Sequence, residues 1–257
     1  MLGRFFRPKC PCDSAAKRWV ERRLQWLSEQ FPESAFSGGP VVLPTPEFFP
    51  DRFDGSELRV RELVETVCVY MRVNPASIRV RFEENADPHV HLVNEAGQAL
   101  PTSAGTFQGG ERKHLVTLGR EEFARPMDLV GTVAHELAHA RLLGDGRIDP
   151  EAFDSELVTD LTTVHFGLGI FLANSPRDWM SGYTTWPGTE LKKPEYMNRP
   201  MYGWALALLA YFRDERRPSW AAHLGRFARL EVEQGLRYLE ATGDTSYRPP
   251  RLQTLRM

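Results

Sequence analysis

The residues best suited to chemistry are the run His135-Glu136-Leu137-Ala138-His139. On an α-helix, side chains four positions apart stack on one face, so both imidazoles reach the same point in space. Neutral imidazole nitrogens are metal ligands. A carboxylate one residue on lies beside any ion they hold, where it can take a proton from a metal-bound water. The spacing therefore describes hydrolysis by an activated water, provided the segment is a helix. Such a short pattern also arises by chance, as two ordinary helix histidines beside a solvated glutamate, so the surrounding residues must decide.

Those surroundings predict a helix. From Pro126 the chain reads PMDLVGTVAHELAHARLLGDG. Proline at a first helical position loses nothing, because that N–H has no partner there, and Asp128 suits the positive end of the helix dipole. Leu129, Val133 and Leu137, with Val130, Ala134 and Ala138, form an apolar stripe, and Gly144 is a C-terminal stop.

Two imidazoles leave a metal short of a third protein ligand. A Gly three residues and a His six residues past His139 would give the HExxHxxGxxH pattern of metzincins, but Leu142 and Asp145 stand there. Asp145 could itself ligate. The other candidate is Glu156, 17 residues past His139, in PEAFDSELVTDLTTVHFGLGIFLANS. There Leu157, Leu161, Val164, Leu168 and Phe171 mark a helical apolar face, and Asp160 follows Glu156 by one turn. The ordinary alternative for both acids is a solvated first helical turn.

Over about residues 113–172 the chain resembles the gluzincin metallopeptidases, whose pattern is HExxH followed on a second helix by ExxxD. The resemblance implies that His135, His139 and Glu156 bind Zn2+, that Glu136 is the general base, and that Asp160 orients a ligand imidazole. The last role has a physical reason of its own: a metal-bound imidazole needs an acceptor on its other N–H to fix tautomer and aim. Three ligands leave an open position for a water whose pKa falls to about 7. The resemblance also implies a Tyr or His donor to the developing oxyanion. Tyr202, opening the apolar helix MYGWALALLAYF, is preferred to His223 or Tyr183, although each taken singly reads as an ordinary buried or interfacial side chain. His165 lies nine residues past Glu156, about 180° round the same helix, and is not read as a ligand.

The elements that position these residues follow from periodicity. Residues 77–82 alternate apolar and polar, as do 113–118 and, less cleanly, 89–93, while 104–110 offer a short extended segment between glycines. The fold class expected is α+β: a zincin-like core with a small, mostly antiparallel sheet packed on the HExxH and ExxxD helices, plus N- and C-terminal helices. An edge strand of that sheet is where an extended peptide would pair. His89 and His91 share a strand face and read as surface residues. Helices are expected over 13–31, 56–73, 200–212 and 219–241, with an ordered proline- and aromatic-rich crossing between the first two. The chain reads as one domain, 1–257, made of an N-terminal helical part (13–73), a metal-site core (77–172) and C-terminal helices (200–241).

A net charge of −2 argues against nucleic acid or a membrane surface as the main partner. No secretory leader is read at the amino terminus and no apolar run approaches about 18 residues. Of three cysteines, Cys68 falls on a helical apolar face, and Cys10-Pro-Cys12 is read as incidental for want of a second pair. The expected setting is reducing and cytoplasmic. The function expected is a zinc peptidase acting on a peptide or protein, its specificity held in loops 105–110 and 176–199; no oligomeric state is implied. The alternatives are a non-catalytic metal-binding regulatory or interaction module on the same scaffold, and a structural protein whose motif is accidental. Two His and a carboxylate also suit iron.

Overall fold

A computed structural model of the chain describes residues 8–50, 52–84, 114–176 and 183–249. Among these, seven α-helices and two short two-stranded sheets give a mixed, mostly helical architecture.

Helix α1 (Ser14–Gln30) starts where the Asp13 carboxylate accepts from the backbone N–H of Ala15 and Ala16. Trp19, Val20, Leu24 and Leu27 form its buried face. Helix α2 (Glu57–Met71) is capped by Ser56 and buries Val60, Leu63, Val64, Val67 and Met71. Both match the expected spans to within two residues.

The sheet that precedes the motif corrects the sequence reading. Strand β1 (Ile78–Glu83) and strand β2 (His114–Gly119) run parallel, in register from Ile78 opposite His114 to Glu83 opposite Gly119. Alternation identifies a strand but carries no direction. Parallel pairing needs a long crossover, which the roughly thirty intervening residues allow. The expected extended segments at 89–93 and 104–110, with His89, His91 and the loop 105–110, lie outside the described residues. An antiparallel pair does occur later, between β3 (Tyr183–Thr185) and β4 (Lys192–Pro194).

Helix α3 (Pro126–Leu142) carries HExxH and packs against α2, against β2 and against two helices that follow, α4 (Ser155–His165) and α5 (Gly169–Asn174). It is buried on nearly every side, including the faces that carry His135, Glu136 and His139. The apolar run expected to continue from α4 through Phe171 is broken instead. Gly167 takes φ 88°, a left-handed conformation, and a Cβ there would sit 2.3 Å from the carbonyl oxygen of Pro40. Leu168 and Phe171 therefore belong to the turn and to α5, and still reach the core.

Helices α6 (Arg199–Phe212) and α7 (Arg226–Thr242) form the most extensive helix pair. Gly203 permits their approach, since a Cβ there would fall 2.3 Å from that of Glu231. The single helix expected over 219–241 is a short 3-10 turn, Ser219–His223, followed by α7, with Leu224 and Gly225 extended between them. No helix among the described residues is long and apolar enough to cross a membrane.

Candidate metal centre

Register alone brings His135 and His139 together: one helical turn apart on α3, their rings stand 4.7 Å apart, nearly perpendicular. Packing of α4 against α3 then adds the carboxylate. His135 Nε2 lies 3.1 Å from His139 Nε2 and 3.2 Å from Glu156 Oε2, and His139 Nε2 lies 3.4 Å from that same oxygen. Zinc with tetrahedral bonds of 2.0–2.2 Å would space its ligand atoms about 3.3 Å apart. The three edges therefore fit a metal before any ion is placed. His135, His139 and Glu156 form the one His/Cys/Asp/Glu cluster of this kind among the described residues.

The far sides of both rings support that use. His135 Nδ1 is 2.8 Å from Asp160 Oδ1, so a carboxylate holds the proton there and leaves Nε2 as a lone pair. Thr159 Oγ1 donates to the Ser155 carbonyl at 2.8 Å and lies 3.3 Å from His139 Nδ1, which makes it the acceptor of that N–H. Both imidazoles thus turn Nε2 inward. Asp160 Oδ2 accepts from the Met197 backbone N–H at 2.9 Å, so the orienting carboxylate is itself fixed.

Burial is graded across the centre. His135 and Glu136 are fully buried, while Glu156 keeps 12% of its side chain exposed, so the triangle opens on the Glu156 side. Burial by itself would raise the Glu156 carboxyl. With no metal between them, the imidazoles of His139 and His135, when protonated, outweigh that and hold it well below the usual carboxylate range. A carboxyl as deeply buried as Glu136 is uncommon away from a partner or a task.

The start of α4 is anchored from a distance. Asp154 occupies the N-cap position without capping the helix. Its carboxylate turns to α1, taking the Trp19 indole N–H at 2.6 Å and both an Nε and an Nη of Arg23 at 2.7 Å. Two residues further on is Glu156, so α1 helps set where that carboxylate stands. Trp19 also packs on Trp186 of the β3–β4 hairpin, with ring centres 5.9 Å apart.

Asp145, the competing third ligand, is 48% exposed and pairs with Arg147 at 3.3 Å, apart from the cluster. His165 is buried with Nε2 2.9 Å from the Phe31 carbonyl, its ring stacked on Phe36, as its place round the helix requires. Of the expected oxyanion donors, Tyr202 is buried early in α6, and His223 ends the 3-10 turn, its carbonyl accepting from Asn174 Nδ2 at 3.0 Å. Sequence reasoning passed over Thr159 and Tyr196. Thr159 stands three residues past Glu156, a spacing that put it on the ligand face. Tyr196, whose ring centre lies 5.9 Å from that of His135, had no such signal, because a loop brings it in.

Searches against protein-family models, curated proteins and solved structures give no match to this chain.

Proposed function

We propose that the protein is a zinc-dependent metallopeptidase of gluzincin type, hydrolysing a peptide or protein substrate on a zincin-like core. The observation that carries this reading is the triangle of His135 Nε2, His139 Nε2 and Glu156 Oε2, with edges of 3.1–3.4 Å and both Nδ1 atoms held from behind.

The donor set, two neutral imidazoles and one carboxylate, suits zinc. Bound there, zinc would supply Lewis-acid polarisation of a carbonyl and a water acidic enough to lose its proton near neutrality. Glu136, next to the first ligand on a helix with no room to shift, would take that proton and hand it to the leaving amine. Asp160 and Thr159 keep each Nδ1–H engaged, so neither imidazole can rotate or change tautomer as charge develops. Tyr196, beside His135, joins Tyr202 as candidate donor to the oxygen of the scissile carbonyl.

The test is elemental analysis of the purified chain beside three variants. Wild type, Asp145→Ala and Glu136→Gln are expected to hold one zinc per chain, and Glu156→Ala to lose it. Glu136→Gln is expected to cut peptide hydrolysis at least ~100-fold, the usual scale of a lost general base. A hydrolytically active Glu136→Gln protein would end the peptidase reading. Zinc retained in Glu156→Ala would end the ligand set, and full occupancy with no cleavage across a broad peptide library would favour the metal-binding module.

A further inference from the structure

All three cysteines are free thiols, in two contrasting settings. Cys68 is fully buried on the inner face of α2, where burial, with Glu65 nearby, pushes its thiol up to about 12. It packs and stays inert. Cys10 and Cys12 stand just ahead of α1, both partly exposed, with their sulfurs 3.7 Å apart.

The surrounding chain holds that pair from both sides. Gln234 on α7 donates its Nε2 to the carbonyls of Lys9, at 3.2 Å, and Cys10, at 3.4 Å. On the other flank Asp13 is committed to the first turn of α1, bonding Ala15 and Ala16 N–H at 2.8 and 2.9 Å. Pro11 removes one backbone freedom between the two thiols. The side chains are also unequal. The two thiols share a hydrogen bond in which either can donate; with Cys12 as donor it lowers the Cys10 thiol against the effect of burial, helped by the Cys12 backbone N–H and the Lys17 ammonium and opposed by Glu21. The same bond, followed by burial, raises Cys12 well above the usual thiol range. Either thiolate, once formed, faces the other sulfur directly, so an attack by one is answered by the other.

We propose that Cys10 and Cys12 form a reactive dithiol that closes to an intramolecular disulfide by exchange with low-molecular-weight disulfides. One of the two thiolates attacks one sulfur of the small disulfide, whose S–S bond breaks as the mixed disulfide forms and one small thiolate leaves. The other cysteine loses its proton to solvent and attacks the Sγ of the first, forming the Cys10–Cys12 bond and expelling the second small thiolate. The protein is oxidised by two electrons, and one small disulfide is reduced to two thiols. The sulfurs close from 3.7 Å to about 2.05 Å, a local rotation of two partly buried side chains. This inference stands apart from the metal centre and from any peptidase activity.

The test is intact-mass spectrometry of the full chain after incubation with excess oxidised glutathione, followed by denaturation and alkylation. Wild type is expected to lose the mass of two hydrogens and to take up one alkyl group, on Cys68, with peptide mapping joining residues 10 and 12. Cys12→Ser and Cys10→Ser should each stop as a stable glutathione adduct on the remaining thiol of the pair. Cys68→Ser should close like wild type. Three results overturn the proposal: three alkylatable thiols remaining in wild type, stable adducts on both cysteines, or disulfide-linked dimers in place of the internal bond.

Discussion

Three histidines are buried on α3 and α4, and the protein uses them in opposite ways. His135 and His139 turn their Nε2 atoms toward each other and toward Glu156, with a carboxylate behind one ring and a hydroxyl behind the other. His165, equally buried, meets a single carbonyl and aromatic rings, and burial lowers its pKa from 6.5 to about 4. The environments are alike in exposure and differ in what faces the imidazole. Burial alone makes a histidine a neutral packing residue. Convergence of a second imidazole and a carboxylate on the same atom makes it able to hold a metal ion, because lone pairs 3.1–3.4 Å apart are favourable around a cation.

The largest expected effect breaks this comparison at its centre. His139→Ala should abolish zinc retention, while His165→Gln, which keeps an N–H to offer the Phe31 carbonyl, should retain one zinc per chain. Metal lost from both, with folding intact by circular dichroism, would show that the two regions are not separable.

The second effect is on stability and belongs to His165. The unfolded chain binds a proton here near pH 6.5 and the folded chain only near 4, so acid favours unfolding. This contribution is intact above pH 6.5, shrinks as pH falls, and costs about 3 kcal/mol once pH has passed through 4. Urea denaturation of metal-free wild type and His165→Gln across that window should show wild type losing this extra stability. Parallel pH curves would contradict it.

Asp160→Asn comes next. Asparagine can present its N–H₂ to His135 and disturb the tautomer, so zinc affinity by competition with a chelator should fall ~10- to 100-fold. Thr159→Val should be milder, below ~10-fold, since a hydroxyl at 3.3 Å is a weaker partner than a carboxylate at 2.8 Å. Equal losses from both would mean that the two ligand rings are held alike.

Much of this centre is visible in the linear sequence because helical register is local. Four-residue spacing put His135 above His139 and Glu156 beside Asp160, and the angular count turned His165 away. Other parts gave no local signal. Alternation in 77–82 and 113–118 identified two strands, yet their parallel pairing depends on how the crossover returns. The break after α4 was masked by apolar residues that continue the helical period through Gly167, where contact with Pro40 decides the bend. Tyr196 and the Met197 amide arrive from a loop 36 or 37 residues past Asp160, a separation with no periodicity to read.

The sequence by itself determined α1, α2, α3, α6 and the start of α4, their inward faces and the two pairs of chemically able side chains on α3 and α4, since each follows from 1.5 Å of rise and 100° of turn per residue. Only the tertiary structure brought Glu156 rather than Asp145 beside the two imidazoles, through the packing of α4 on α3 and the anchoring of Asp154 to α1. It likewise brought the Met197 amide to Asp160 and set Cys10 against Cys12 beside α7. These are choices about how separate elements approach, and approach is fixed by the shape of a shared core, which no single stretch of chain contains.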